Sequence, residues 1–242
     1  MHKDNLFAPL RPKTVLGIAA HPDDLDFGAS GTMAWFAKQG AKVHYLIITD
    51  GSKGTDDLKV SPKELIKIRQ TEQRAAVKAV GGKSVSFLNY PDSMLEVTMD
   101  LKRDIVRIIR SVKPDVVITM DPSMLYSANR GFINHPDHRA AGQAALDAVF
   151  PLARDHLSFP ELLKDGYLPH KTKTVLLINF DQSNFYVDIS ETLTNKLSAL
   201  KAHASQIPDM DEIFGFVKDI SRRAGRKANF QFAESFVRID VR

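Results

Sequence analysis

Cysteine is absent from the 242 residues of this chain. Its absence excludes a disulfide framework, a thiolate metal site and a cysteine nucleophile. Any metal ion must therefore be bound by histidine, aspartate or glutamate side chains.

Long apolar runs and strong charge are missing as well. No stretch reaches the length of a membrane span, and the start of the sequence lacks the apolar centre of a signal peptide. We therefore expect a cytoplasmic protein with no membrane partner. The 33 Lys and Arg residues barely exceed the 29 Asp and Glu residues, which bears mainly on solubility. The basic run at 222–227 is by itself weak evidence for nucleic-acid binding, so no nucleic-acid partner is expected.

Short apolar segments alternate with segments of helical periodicity. Strands are predicted at 15–20, 43–49, 84–88, 116–120, 174–180 and 185–188. Helices are predicted at 32–39, 61–80, 101–112, 138–150, 191–205 and 211–224, and loops at 21–31 and 50–60. This alternation is typical of an α/β protein with a doubly wound, mostly parallel sheet and helices on both faces. No linker marks a second domain, so a single domain over 1–242 is expected.

Two polar clusters follow predicted strands. His-Pro-Asp-Asp occupies 21–24 after the first strand, and His-Pro-Asp-His occupies 135–138 in the long loop after 116–120. Ligands gather at the carboxyl ends of parallel strands. Imidazole and carboxylate suit zinc, whose catalytic sites use three protein ligands and keep one position open. His21, Asp24 and His138 are the candidate ligands, and Asp23 is placed to serve as a base.

Each cluster alone also has a purely structural interpretation. His-Pro and Asp-Asp pairs occur in ordinary loops, and Asp24 or Asp26 could cap a following helix. Two similar clusters at strand ends favour chemistry instead. Gly28 and Gly31 lack the close first glycine of a dinucleotide fingerprint, so their predicted role is close packing of a helix on the sheet.

The two clusters carry a family resemblance. Residues 19–32 (AAHPDDLDFGASGT) and 135–139 (HPDHR) resemble the PIG-L/LmbE-like zinc N-deacetylase family. RQTE at 69–72, YPDSML at 90–95 and HASQ at 203–206 resemble later segments of that family, so the resemblance spans roughly 15–240 around a motif-bearing core at about 13–206. It implies a Rossmann-like fold, a Zn²⁺ cofactor with Fe²⁺ as the open alternative, and homo-oligomers. The implied reaction removes the acetyl group from an N-acetylglucosamine-type sugar, a small-molecule substrate.

The resemblance also assigns roles to eight residues. It makes His21, Asp24 and His138 the metal ligands, Asp23 the general base, His135 the residue facing the oxyanion, Asp137 the support of its ring, and Arg69 and Asp92 the lining of the sugar pocket. Some positions depart from the family pattern. They are Leu25, Ser30 and Ser93, together with Ile133 and Asn134, where some members have a tyrosine.

Several alternatives stay open at this point. The same site could act on another amide, such as an N-acyl or S-conjugate substrate, or the protein could bind metal and sugar without turnover. A Rossmann-type oxidoreductase is the third alternative. Arg69 could be a surface helix charge, and Asp92 could cap a turn. His203 is expected to be structural, or at the pocket edge, rather than a ligand.

Overall fold

The computed structural model describes residues 10–128 and 131–242. Strands in this part of the chain are β1 Thr14–Ala19, β2 Lys42–Thr49, β3 Ser84–Tyr90, β4 Val116–Met120, β5 Tyr126–Ser127, β6 Phe132–Ile133, β7 Thr174–Ile178, β8 Phe185–Asp188 and β9 Ala233–Asp240. Its helices are α1 Asp24–Gly28, α2 Ser30–Lys38, α3 Pro62–Ala79, α4 Met99–Val112, α5 Pro136–Asp147, α6 Pro160–Lys164, α7 Leu193–Lys201 and α8 Met210–Ala228. A π-helical turn, Ala148–Leu152, continues α5. None of the helices described is both long and apolar enough to cross a membrane.

Seven strands form one sheet in the order β3-β2-β1-β4-β7-β9-β8. The first five of these pair in parallel, whereas β9 runs antiparallel to both β7 and β8. The strand order reverses between β1 and β4, which are direct neighbours. In doubly wound sheets this reversal opens a crevice at the carboxyl ends of the strands. The predicted fold class is confirmed, and the crevice lies where both polar clusters leave the sheet.

Apolar layers cover both faces of the sheet. Alternate residues of β1 divide between them, because Val15 packs into one buried cluster and Leu16 into the other. The first cluster includes Met33 of α2, and the second includes Ile105 of α4. A strand buried on both faces reads as a continuous apolar run, which explains why β1 was predictable from sequence.

Helix α6 and the short strands β5 and β6 were not predicted from the sequence. Two further elements also differ from the prediction. Helix α1 occupies part of the predicted loop at 21–31, and β9 was not predicted. Both elements meet a buried ion pair, in which Lys196 Nζ lies 2.6 Å from Glu234 Oε1. Lys196 also donates to the carbonyl oxygens of Asp26 and Phe27 in α1. Glu234 in β9 accepts from the first backbone N–H groups of α2. We call this arrangement the Lys196–Glu234 clamp, and it fixes the junction of α1 and α2.

Close packing explains the two glycines at the same junction. A Cβ at Gly28 would lie 2.7 Å from the side chain of Ile178, and one at Gly31 would lie 2.9 Å from Ile189. Both distances are shorter than real Cβ contacts. The predicted packing on the sheet is therefore confirmed for Gly28, which meets β7, whereas Gly31 packs closely against Ile189, directly after β8.

Candidate active site

The two polar clusters meet above the crevice between β1 and β4. The ring centroids of His21 and His135 are 4.8 Å apart, and those of His21 and His138 are 5.3 Å apart. His135 and His138 are also 5.3 Å apart. Segments more than 110 residues apart in sequence thus place three imidazoles in one group.

His21 is surrounded by carboxylates. Its Nε2 atom lies 3.2 Å from Asp92 and 3.3 Å from Asp137, and its Nδ1 atom lies 3.6 Å from Asp24. Burial opposes protonation of this ring, but the hydrogen bonds to the three carboxylates outweigh burial and raise the pKa of His21 to about 12. The surroundings therefore favour a positive charge at this place.

His138 completes the predicted ligand trio. Its Nε2 atom lies 3.0 Å from Asp24 Oδ1, and its Nδ1 atom lies 3.2 Å from the side-chain oxygen of Asn134. Burial lowers the pKa of His138, yet the charge and hydrogen bond of Asp24 raise it above its ordinary value. Burial raises the pKa of Asp24, but the imidazoles of His138 and His21 outweigh burial and hold this pKa well below its usual range. Asp24 thus stays ionised between His21 and His138.

Asp23 differs from its neighbour Asp24 in backbone conformation and in the direction in which its pKa is shifted. Its backbone has a φ of 98°, a region that residues with side chains rarely adopt. Its carboxylate lies 3.5 Å from the guanidinium of Arg69. Burial and the charge of Asp24 raise the pKa of Asp23 to about 7, against the opposing charges of Arg69, His203 and His21. A carboxyl group that titrates near neutrality can both accept and return a proton at physiological pH.

His135 and Asp137 interact through the backbone. The N–H of Asp137 donates to His135 Nδ1 over 3.2 Å, so in the neutral ring the proton resides on Nε2. Burial and the positive charges of His21 and His138 lower the pKa of His135. The carboxylate of Asp137 faces His21 and accepts from the N–H groups of Ser93 and Leu95. Support of the His135 ring therefore comes from the main chain of residue 137, not from its carboxylate.

Arg69 and Asp92 also reach this site. Arg69 has only 4% of its surface exposed, and it donates to the carbonyl oxygens of Pro22 and Gly51. The alternative that Arg69 is a surface helix charge is therefore wrong. Asp92 is 3% exposed and accepts from the N–H of Lys53 while facing His21. Both residues brace the loops around the first cluster, and their role in sugar binding stays a prediction.

Sequence reasoning missed a buried network beneath Asp23. Asp26 has no exposed surface and contacts the side chains of Tyr45, Gln73 and His203. The late segment at 203–206 belongs to this support, since His203 binds Asp26, Ser205 binds Glu72 and Gln206 binds the carbonyl oxygen of Gly54. His203 is fully buried, as expected for a structural residue.

The donor set fits a metal ion. Among the described residues, His21, His135 and His138 form one group whose ligand atoms lie within 4.8 Å of one another, and His21, Asp92 and Asp137 form a second. Imidazole nitrogens and carboxylate oxygens suit Zn²⁺ and Fe²⁺ alike. The fold and the site together define a class: an α/β protein with a His/Asp group able to hold a metal ion, beside a carboxyl group of raised pKa.

Comparison with known proteins identifies the family. The chain belongs to the PIG-L family, described as GlcNAc-PI de-N-acetylase, whose pattern matches residues 16–149. It is 34% identical over 224 residues to the diacetylchitobiose deacetylase of Thermococcus kodakarensis, covering 92% of this chain and 81% of that one. It is 32% identical to a probable N-acetyl-α-D-glucosaminyl L-malate deacetylase 2 of Bacillus cereus, covering 82% and 86% of the two chains.

A solved structure supports the same assignment. The N,N'-diacetylchitobiose deacetylase of Pyrococcus horikoshii, in complex with its inhibitor MPG, superposes with a TM-score of 0.87. The two proteins are 31% identical, and the match covers 95% of this chain and 84% of the other. The family resemblance that the two clusters predicted is confirmed.

Proposed function

We propose that this protein is a metal-dependent N-deacetylase that hydrolyses the acetamide of an N-acetylglucosamine-type sugar and releases acetate. The observation that carries the proposal is the convergence of His21, His135 and His138 into a group that could hold a metal ion, with the Asp23 carboxyl group beside it, between this group and Arg69. Relatives named as deacetylases of diacetylchitobiose and of glucosaminyl malate supply the substrate class.

His21, Asp24 and His138 are the proposed ligands of a Zn²⁺ ion, with Fe²⁺ as the alternative. When bound, such an ion supplies a Lewis acid that polarises a carbonyl group and lowers the pKa of a bound water toward neutrality. The carboxylates around His21 support this choice, because a cation there balances their negative charge. Asp92 and Asp137 would orient the His21 ring, as partners of metal-binding histidines do.

Asp23 is the proposed general base. Its carboxylate takes a proton from the attacking water as the water oxygen bonds to the acetamide carbon. The same carboxyl group then returns that proton to the leaving nitrogen as the carbon–nitrogen bond breaks. A pKa of about 7 suits both transfers, and the products are acetate and the free amino sugar.

His135 is the proposed donor to the oxyanion. Its Nδ1 atom accepts from a backbone N–H, which leaves Nε2–H as the donor of a neutral imidazole. A positioned donor of this kind stabilises negative charge on the carbonyl oxygen in the transition state. Protonation of the ring is not needed for this role. Arg69 and Asp92 are proposed to line the sugar pocket beside these groups.

The decisive experiment is acetate release by purified protein from N-acetylglucosamine and N,N'-diacetylchitobiose. We expect release that stops after chelation and returns when Zn²⁺ is added. Hydrolysis of N-acetyl amino acids, but of neither sugar, would show that the site acts on a different amide. No release from either class, despite about one bound metal per chain, would favour a non-catalytic sugar-binding protein.

A further inference from the structure

The main chain of Asp23 is held from two sides in its unusual conformation. Its carbonyl oxygen accepts from the N–H groups of Asp26 and Phe27, which belong to the first turn of α1. Its own N–H donates over 3.0 Å to the side-chain oxygen of Gln73, on the neighbouring helix α3. Because φ and ψ set the direction of a side chain, these bonds decide where the Asp23 carboxylate points.

The orientation of the Gln73 amide is itself determined. Its Nε2 donates over 2.8 Å to Asp26 Oδ2. A backbone N–H only donates hydrogen bonds, so the oxygen of the Gln73 amide must face Asp23 and its NH₂ group faces Asp26. The same Asp26 oxygen lies 2.9 Å from His203 Nε2, and its other oxygen lies 3.3 Å from the Tyr45 hydroxyl.

Burial makes this arrangement rigid. Asp26, Gln73 and His203 have no exposed surface, and Tyr45 has 1%. Water therefore offers no alternative partner to the Gln73 amide, and a buried polar group that loses its partner is not solvated. Gln73 touches none of the predicted metal ligands in the bonds described, so its effect on the site passes through Asp23.

We propose that Gln73 is a positioning residue for catalysis, which holds the Asp23 backbone so that its carboxylate meets the attacking water. The inference rests on the proposed function, because it takes Asp23 as the base. A base must lie within hydrogen-bond reach of the proton that it removes, and displacement by about 1 Å can cost on the order of 100-fold in rate.

Gln73→Met is the first test, because methionine has nearly the same length but forms neither hydrogen bond. We expect kcat to fall about 10- to 100-fold, while KM changes less than about twofold and bound metal is unchanged. The matched control is Gln70→Met, one turn earlier on α3, whose amide donates to Asn89 instead. Unchanged kcat in Gln73→Met, or a loss of kcat in proportion to lost metal, would overturn the proposal.

A second pair of variants, which exchanges donor and acceptor between residues 73 and 26, separates a loss of positioning from a folding defect. Gln73→Glu keeps an acceptor for the Asp23 N–H but sets two carboxylates against each other. The double variant Gln73→Glu with Asp26→Asn restores one donor between the two side chains. We expect the single variant to lose activity and the double variant to regain at least about fivefold in kcat. Activity that stays equally low in the two variants would contradict a positioning role.

Hydrogen exchange supplies a readout that does not require turnover. We expect the backbone amide of Asp23 to exchange at least about tenfold faster in Gln73→Met than in wild type. The amides of β4 should keep their wild-type rates, which separates a local effect from global unfolding. If wild type released no acetate, the proposed function would fail while this measurement still tested the bond. Unchanged exchange at Asp23 would refute the positioning inference even in an active deacetylase.

Discussion

Asp23 and Asp24 are adjacent carboxylates with opposite properties. Two imidazoles hold the pKa of Asp24 well below its ordinary value despite burial. Asp23 has Arg69 as its neighbour at 3.5 Å, and burial together with the charge of Asp24 raises its pKa to about 7. Environment thus separates a carboxylate that stays ionised from a neighbouring carboxyl group that titrates near neutrality, as the proposed roles of ligand and base require.

Replacement of Asp23 by asparagine should abolish most of the turnover. We expect Asp23→Asn to lower kcat by about 10²- to 10⁴-fold, because the amide cannot accept the proton of water. Metal content should stay near the wild-type value. Acetate release and metal analysis on the same preparation check this prediction. Wild-type kcat in the variant would remove Asp23 from the reaction.

Replacement of His138 should act on the metal instead. His138→Ala removes a predicted ligand, and we expect affinity for Zn²⁺ to fall by at least about 10- to 100-fold. A competition titration with a chromophoric chelator measures this affinity. His156→Ala serves as the control, because the His156 side chain is 68% exposed and away from the site. Undiminished affinity in His138→Ala would exclude it from the ligand set.

The residues that the sequence motifs predicted do converge, but their supports were not predictable. His21, Asp24 and His138 stand out because their types and spacing match metal chemistry. Gln73 and Asn134 carry no such signal, because an amide has no distinctive pattern along the chain. Asn134 lies four residues before its partner His138, whereas Gln73 and Asp23 are 50 residues apart and become neighbours only on folding. Sequence therefore indicates the reactive groups better than the bonds that orient them.

Helix ends and strands were predictable where local chemistry determines them. Ser61 and Glu64 form a capping box at α3, with Pro62 in its first turn, and this pattern is readable in the sequence at the start of the predicted helix 61–80. Strand β9 was missed because buried Glu234 and Ser235 interrupt its apolar pattern. Glu234 is tolerated inside the protein because Lys196 and two backbone N–H groups satisfy it. Those partners lie far away in sequence, so no local pattern indicates them.

Helix α5 carries a glycine that packs against backbone. A Cβ at Gly142 would overlap the carbonyl oxygen of Met120, at the carboxyl end of β4. We expect Gly142→Ala to destabilise the protein by about 1–3 kcal/mol, although alanine normally favours a helix. Urea unfolding of wild type and variant measures the difference.

Gly215 in α8 is the matched control for this prediction. A Cβ there would meet nothing within 4 Å, so Gly215→Ala should stabilise the protein by up to about 1 kcal/mol. The two substitutions should change the free energy of unfolding in opposite directions, because Gly142 is closely packed and Gly215 faces open space. Stabilisation by both substitutions would contradict the packing described for α5.

At the scale of the whole molecule, Asp115 joins three parallel strands at the edge opposite the site. Its carboxylate accepts from the N–H groups of Lys13 and Thr14 at the start of β1, and it pairs with Lys173 before β7 at 2.8 Å. Burial opposes ionisation, but the Lys173 pair and these backbone donors outweigh it and lower the pKa of Asp115. Its ionised form therefore stabilises the fold.

The stability contributed by Asp115 should depend on pH. Because its pKa is lower in the folded protein than its ordinary value of 3.8, the contribution is complete above that value and is lost as pH falls through the folded pKa. We expect Asp115→Asn to cost about 1–2 kcal/mol at pH 7, and the cost should shrink steadily below about pH 4. Urea unfolding from pH 7 to pH 3 measures it, with Asp56→Asn in an exposed loop as control. A pH-independent cost would contradict the linkage.

The parallel part of the sheet was easier to predict from the sequence than its antiparallel end. Parallel strands β1, β2 and β4 consist mostly of apolar residues, and their alternation with helices predicted a doubly wound sheet. The antiparallel end, where β9 lies between β7 and β8, depends on long-range pairing. The place of the site was also predictable, because topology puts the loops after β1 and β4 side by side.

The Lys196–Glu234 clamp has a consequence for synthesis on the ribosome. Gly31 meets the carboxylate that holds it only 203 residues later in the chain. At about 5–20 residues per second, roughly 10–40 s separate the two. During that interval the junction of α1 and α2 lacks the anchor that Glu234 provides, although Gln73 and Arg69 of α3 already contact the preceding turn. The predicted ligands His21 and Asp24 therefore precede the last support of their helix by most of the chain, and the junction of α1 and α2 is completed only when β9 has been made.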